Sequence, residues 1–446
     1  MPVSAPLDLL SDVLAQARKA GAGAADAVLV DQAALSAARR LGRSEGIERA
    51  ESAEVGLRVL MGRRQAVASS TDLSAEGLAR LTGQAVAMAR AAPEDPWCGL
   101  ADPETLARAF PELDIAEAGE PAPERLDQRA AAAEDAAMAV AGITNSEGAE
   151  AGWSRTTVAL AATNGFAGSY TMSRHGVSVS VLAGAGTAME RDYDYDTATY
   201  GGDLRDPAEI GRNAAERAVR RLGPRKAATA RVPVVFENRV AGSLLRALAG
   251  AISGPAVARG TSFLKSTLGT QVFAEGIAVI DDPHRRRGLR SKPFDGEGVA
   301  NARRALVEGG VLASWLLDSA SARQLGLPTT GHAARGTSGP PAPAPTNLYL
   351  EPGAPDLESL IGGIARGVLV TELMGMGVNP VTGDYSRGAA GFWIEGGAIA
   401  HPVSEITIAG NLRDMFRNLS PGSDLVFRSG TDAPSLLVEG MTVAGT

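Results

Sequence analysis

Hydrophobic positions in the first hundred residues follow a helical period, then a strand period, then a helical period again. Apolar residues recur at helical spacing from about Pro6 to Ala20, and the strand-like runs that follow include a hairpin turning near Gly62. Ser74 has the position of an N-cap, before apolar residues at helical spacing, and Pro93 ends that helix. The pattern predicts a module that runs helix, strands, helix.

The same order of elements returns after a stretch rich in proline and acidic residues, which is predicted to be a solvated connection. A helix is predicted from about Glu124 to Val140. Asn164-Gly165 separates two strand-like runs and predicts a hairpin, because both turn positions favour positive φ. GVSVSVLAG and TAMERDYDYDTATY predict a third and a fourth strand, and Asp206 caps a last helix. The two modules are predicted to be structurally similar.

The rest of the chain is rich in strand-like runs. Hairpins are predicted across Gly309-Gly310 and Gly396-Gly397, with a Pro-rich loop at residues 334–345 between them. Helices and strands do not alternate in a βαβ rhythm, so the predicted class is α+β. Two smaller helix–antiparallel-strand–helix modules would precede a large, mostly antiparallel, β-rich C-terminal domain. The predicted bounds are 1–100 for the first module, 101–122 for the linker, 123–226 for the second module and 227–446 for the C-terminal domain.

Charge and composition argue against several classes of function. The net charge is -8 and no basic face is evident, so duplex nucleic acid is a poor ligand. No apolar run approaches the roughly 20 residues of a membrane span. Cys98 is the single cysteine, which excludes an intrachain disulfide and a Cys-rich zinc site. The first residues fit an amphipathic helix better than a signal peptide, so we expect a cytoplasmic protein.

The four histidines of the chain are scattered and form no HExxH or HExxxH motif. A site assembled from distant histidines stays open at this point. His332, among small residues at the start of the Pro-rich loop, is a candidate ligand contact. The basic run from His284 to Arg290 is interpreted either as a solvated turn or as a contact with an acidic partner or a peptide carboxylate.

The segment from Val370 to Phe416 is unusually rich in glycine. Glycines allow another backbone to approach closely, as in a groove that adds a peptide as an extra strand. A set of tight turns in a β domain explains the same pattern equally well. Dinucleotide fingerprints, a P-loop and a G-x-S-x-G elbow are not found, so nucleotide binding and serine hydrolysis lack support.

This same segment resembles the PmbA/TldE family, through TELMGMGVNPVTGDYSRGAAGFWIEGG and PVSEITIAGNLRDMF. Other strings that resemble the family follow in the same order: ASSTDLS, ITNSEGA, MERDYDY, KPFDGEGV and SARQLGLPTTGHA. The resemblance covers nearly the whole chain. It implies a cytoplasmic assembly with a homologous TldD-like chain, a zinc metallopeptidase that degrades unfolded or modified peptides. An older name of the family refers to modulation of DNA gyrase.

The resemblance also implies where a metal motif would lie. The HExxxH motif of TldD-type chains aligns with SLLRALAGAISG, which puts Arg246 at a ligand position, Ala247 at the general base and Ala251 at the second ligand position. Alanine cannot coordinate a metal, and arginine is a permanent cation. A thiolate expected near the C-terminus has no counterpart. We therefore expect no catalytic residue and no metal or other cofactor on this chain, and zinc on the TldD-type partner.

Candidate peptide-binding residues follow from the matched glycine-rich string. The set comprises Gly375, Gly377, Tyr385, Ser386, Arg387, Gly388, Gly391 and, outside the string, His332. The alternatives to a TldE-type subunit are an independently active metallopeptidase, a non-enzymatic binding modulator, and a homodimer that scavenges peptides.

Overall fold

The computed structural model describes Val3 and residues 5–445. Its N-terminal half combines long strands with four α-helices, and short 3₁₀ turns lie at residues 103–105 and 186–188. In chain order the elements are α1 (Pro6–Lys19), β1 (Ala24–Arg40), β2 (Arg43–Met61), β3 (Arg64–Ser70), α2 (Ala75–Ala91), α3 (Pro123–Met138), β4 (Ile143–Ala162), β5 (Ala167–Ala183), β6 (Glu190–Ala198) and α4 (Pro207–Arg220).

The two predicted modules share one antiparallel sheet. Each module runs helix, strands, helix as predicted, but β1 pairs with β4 from Asp26↔Ala162 to Arg39↔Ala149, giving the strand order β3-β2-β1-β4-β5-β6. All four helices cover the same face of this sheet. Leu29 of β1 packs in the core under α1 and α2, and Leu35 packs in the core under α3 and α4. Since side chains alternate along a strand, the opposite face is left for the C-terminal domain.

Local signals in the N-terminal half are largely confirmed. The Ser74 side chain accepts a hydrogen bond from the Gly77 N–H, and the Asp206 side chain accepts one from the Ala208 N–H. The hairpin at Asn164-Gly165 forms, but only the glycine has positive φ, at 98°. The predicted third strand is wrong as a separate element, because β5 continues through it without a break.

The linker between the modules is largely exposed, as its composition predicts, but it is anchored at a few buried residues. Ala101, Leu113 and Ile115 are buried. The Leu113 carbonyl accepts a hydrogen bond of 3.0 Å from the Arg287 N–H, and the Ile115 carbonyl accepts one of 2.9 Å from the Ser173 N–H. The linker therefore ties the second module to the C-terminal domain, because its few apolar residues and its backbone find partners on both.

The C-terminal domain is strand-rich, as predicted. Its elements are β7 (Ala230–Phe236), α5 (Asn238–Ala251), α6 (Gly254–Ala258), β8 (Val279–Asp281), β9 (Arg304–Glu308), β10 (Val311–Leu312), α7 (Ser319–Leu325), β11 (Ala333–Ala334), β12 (Ala342–Pro343), β13 (Leu348–Leu350), α8 (Leu357–Gly362), β14 (Arg366–Met374), β15 (Asp384–Glu395), β16 (Ala398–Asn411), α9 (Leu412–Arg417), β17 (Leu419–Pro421), β18 (Thr431–Asp432) and β19 (Leu436–Ala444).

One sheet of this domain closes on itself. Its order is β16-β15-β14-β7-β19-β17, and β16 also pairs with β19, so five strands form a ring. All its pairs are antiparallel except β14 with β7. The two glycine hairpins form as predicted, whereas the Pro-rich loop contains the short β11–β12 pair. Among the described residues, no helix is long and apolar enough to cross a membrane.

Candidate functional site

The glycine-rich segment forms the end of β14, the loop after it, β15, β16 and most of α9. Two of its glycines are explained by this chain's own packing. A Cβ on Gly377 would lie 1.5 Å from the carbonyl oxygen of Ser386, and a Cβ on Gly391 would lie 1.9 Å from that of Leu369. Only glycine lets these backbones meet. The structure therefore accounts for both positions without a bound peptide, and their contact with a peptide stays a prediction.

The other two candidate glycines are more open. Gly375 is exposed with φ of 72°, and nothing lies within 4 Å of the place where its Cβ would be. Gly388 is half-buried and pairs with Met374 across the β14–β15 ladder. The loop between these strands exposes apolar side chains, above all Met376, which is 99% accessible. This loop is open to another molecule.

Tyr385, Ser386 and Arg387 differ in accessibility, although they are consecutive. Tyr385 is buried against Phe236, and burial raises the pKa of its hydroxyl to about 12 against the opposing charge of Arg387. Ser386 is exposed, and its N–H donates to the Gly377 carbonyl at 2.7 Å. Arg387 is half-buried, and its Nε has no hydrogen-bond acceptor among the described residues. Of the three side chains, Ser386 and Arg387 can therefore meet a ligand.

His332 lies in the interior and not in a mobile loop. It is 2% exposed, its Nδ1 is 2.8 Å from Oγ1 of Thr330, and its Nε2 is 3.3 Å from Oδ2 of Asp281. Its ring nitrogens thus have partners within the chain. The structure does not place it with the residues of β15, and a role in ligand contact stays a prediction without geometric support.

The residues aligned with the metal motif lie on α5. Arg246 is exposed, Ala247 is half-buried and Ala251 is 2% exposed. None offers a neutral nitrogen, a thiolate or a carboxylate, the donors that zinc takes. Across Val3 and residues 5–445, no three His, Cys, Asp or Glu side chains converge in a metal-binding arrangement. The donor set at α5 therefore does not fit a zinc ion.

Several arginines lie around α5. We use the term arginine cluster for Arg246, Arg290, Arg387 and Arg428. Arg246 is exposed overall, but partial desolvation of its guanidinium lowers its pKa, and so do the positive charges of Arg387 and Arg290. Tyr195 lies within electrostatic range of both Arg428 and Arg246. The cluster joins α5, the end of the basic run, β15 and the segment before β18.

A cleft of about 530 Å³ lies on the face of the N-terminal sheet that carries no helices, and two of its lining residues are within electrostatic range of the cluster. Tyr195 and Arg174 line it. Paired positions on neighbouring strands make a floor of small side chains, namely Ala34, Ser36, Ala50, Gly152, Ser154, Gly176 and Ser178. Such a floor leaves room for an extended chain above the sheet.

The basic run from His284 to Arg290 divides between two roles. Arg286 and Arg287 form ion pairs with Asp114 of the linker, which supports the interpretation as a structural turn. Arg290 instead joins the arginine cluster. Sequence reasoning missed Arg428 and Tyr195, since both lie far along the chain from the other members of the cluster and in no motif shared with them. Tyr195 does lie in the family-like string MERDYDY, the one signal that pointed to it.

Comparison with protein families covers all three parts of the chain. Residues 25–89, 116–222 and 229–445 match models of PmbA/TldA metallopeptidase domain 1, central domain and C-terminal domain, respectively. Metalloprotease PmbA of Escherichia coli is 39% identical over 99% of this chain and 98% of its own length.

Two solved structures are similar throughout. A protein described as a modulator of DNA gyrase, from Bacteroides thetaiotaomicron, has a TM-score of 0.91 at 27% identity and 100% coverage of both chains. TldE from Thermococcus kodakarensis shares the fold, with a TM-score of 0.88 at 21% identity over 98% of this chain and 100% of its own. The resemblance read from the sequence is confirmed, and the chain belongs to the PmbA/TldD family.

Proposed function

We propose that this chain is the TldE/PmbA-type subunit of a heteromeric zinc metallopeptidase that degrades or processes unfolded or modified peptides. A homologous TldD-like chain would hold the zinc. The observation that carries the proposal is the side-chain set of α5, where Arg246, Ala247 and Ala251 offer no metal ligand. Similarity to a protein named metalloprotease PmbA and a fold shared with one named TldE support it.

This chain would contribute to peptide binding. Ser386 and Arg387 are accessible on β15, and Gly375 presents bare backbone beside them. Tyr385 would act indirectly, because its buried ring fixes the strand that carries both side chains. The exposed loop around Met376 would meet either the peptide or the partner chain. We place the assembly in the cytoplasm, because a chain with a single cysteine forms no intrachain disulfide and therefore needs no oxidising compartment.

The test is the zinc content of this chain purified alone and of the chain co-purified with a TldD-like partner, measured by mass spectrometry of the metal. We expect no stoichiometric zinc on the isolated chain. About one zinc per pair, with cleavage of unfolded peptides only by the pair, is the result expected from a metal site built by one chain of two. Stoichiometric zinc with peptidase activity on the isolated chain would replace the proposal by an independently active enzyme.

The substrate role is tested in the assembled pair. Arg387→Ala should raise KM for unfolded peptides, because the guanidinium would bind substrate without touching the reacting bond. Arg212→Ala is the matched control, since Arg212 is exposed on α4, which covers the helix-bearing face of the N-terminal sheet. Equal KM values for the two variants would refute the assignment. Failure of the chain to bind any TldD-like protein would favour a non-enzymatic modulator or a homodimer.

A further inference from the structure

The arginine cluster lacks acidic partners of its own. None of the ion pairs found among the described residues includes Arg246, Arg290, Arg387 or Arg428, although neighbouring arginines such as Arg287 are paired. Nε and Nη1 of Arg428 and Nε of Arg387 are buried without an acceptor in the described chain. Buried guanidinium donors without acceptors are costly, and an anion relieves that cost.

A contact next to β18 holds one of these arginines in place, and α5, which carries Arg246, packs closely against β18. Arg290 lies across Gly430, where a Cβ would meet its Cγ at 2.6 Å and its Nε at 3.0 Å. Arg246 Nη1 lies 3.7 Å from the Cβ position of Gly242, which itself presses on the Thr431 carbonyl. Packing against fixed backbone reduces the side-chain entropy that Arg290 would lose when it binds.

Asp432 is the carboxylate within electrostatic range of Arg246, but it serves the turn before β18. Its oxygens accept hydrogen bonds of 3.0–3.1 Å from the backbone N–H groups of Arg428, Ser429 and Gly430. These donors satisfy the carboxylate, and no ion pair joins it to the arginine cluster among the described residues. Like charges at close range make the site more receptive to an incoming anion.

We propose that the arginine cluster binds a carboxylate group of a peptide that lies in the adjoining cleft, an inference that rests on the proposed peptide-processing function. A carboxylate is planar and matches the fork of a guanidinium in two parallel hydrogen bonds. Tyr195 joins the two features, because it lines the cleft and lies beside Arg246. Burial raises the pKa of Tyr195, so its hydroxyl remains a donor at neutral pH.

The test measures peptide binding to the isolated full-length chain by calorimetry, so neither zinc nor a partner is required. The probes are N-acetylated tetra-alanine with a free C-terminal carboxylate, its C-terminal amide, and the amide with one alanine replaced by glutamate. We expect the free carboxylate to bind at least about tenfold more tightly than the neutral amide. Tight binding of the glutamate peptide instead would assign the cluster to an acidic side chain and also support the proposal.

Variants locate the interaction. Arg246→Gln, at an exposed position, and Arg428→Gln should each weaken binding of the carboxylate probe about tenfold, and the control Arg212→Gln should leave it unchanged. Equal affinity for the carboxylate and the neutral amide would overturn the proposal. So would native-like affinity in both cluster variants, or inorganic phosphate that binds as tightly as the peptide. Failure to pair with a TldD-like chain would overturn the proposed function but leave the binding result intact.

Discussion

A buried ion cluster connects the N-terminal sheet to the C-terminal domain. One carboxylate oxygen of Asp26, on β1, accepts a hydrogen bond of 2.8 Å from Nε of Arg58, which lies opposite it on β2. The other oxygen accepts a hydrogen bond from Nη1 of Arg335 in the Pro-rich loop. The three side chains are 4%, 3% and 1% exposed, respectively. Asp26 thus pairs with two cations, one from each side of the domain boundary.

We expect Asp26→Asn to lower the free energy of unfolding by about 3–5 kcal/mol, because it leaves two guanidinium groups buried beside an uncharged amide. Asp127→Asn is the matched control. Asp127 binds Arg39 through both carboxylate oxygens at 3.0 and 2.9 Å, but the two side chains are 29% and 20% exposed. Solvent screens such a pair, so its loss should cost about 0–1 kcal/mol.

The assay is equilibrium unfolding in urea followed by circular dichroism, with hydrogen exchange at β1 and β2 to locate the loss. Burial alone would raise the pKa of Asp26, but the charges of Arg335 and Arg58 outweigh burial and lower it. The stabilisation should therefore be present above the unfolded pKa of about 4 and disappear as the pH falls through the lower folded value. Equal destabilisation by Asp26→Asn and Asp127→Asn at pH 7 would refute this reasoning.

Three further predictions concern single sites. Burial and the charge of Asp295 raise the pKa of Glu297 to about 7. The contribution of Glu297 to stability is therefore complete below about pH 4 and is lost as the pH rises through 7. Glu297→Gln should raise the urea midpoint of unfolding at pH 8 but not at pH 4. Gly377→Ala should cost about 1–3 kcal/mol and increase hydrogen exchange in the loop before β15, because its Cβ would collide with Ser386. Unchanged exchange would contradict that. Ser74→Ala should lower the free energy of unfolding by about 1 kcal/mol through loss of the α2 cap, as measured by thermal unfolding. Gln84→Ala, at an exposed position in the middle of α2, is the control, and a smaller loss for Ser74→Ala than for this control would contradict the prediction.

Local chemistry in the sequence predicted local structure well. The caps at Ser74 and Asp206, the hairpins at Gly165 and Gly396, and the α+β class all form, because each depends on a few consecutive residues. Composition singled out the glycine-rich segment, and the family resemblance singled out the α5 stretch. It could not show which glycines serve packing, because the oxygen that faces Gly391 belongs to Leu369, on another strand.

The sequence by itself determined the periods of the strands and helices, the turn positions and the absence of metal donors at Arg246, Ala247 and Ala251, since these depend on residue type and spacing alone. Tertiary structure decided the pairing of β1 with β4, the burial of His332 and the proximity of the arginines that form the arginine cluster. Each of these brings together residues far apart in the chain. Pairing and burial at that range depend on how whole surfaces fit, a property that no short stretch of sequence carries.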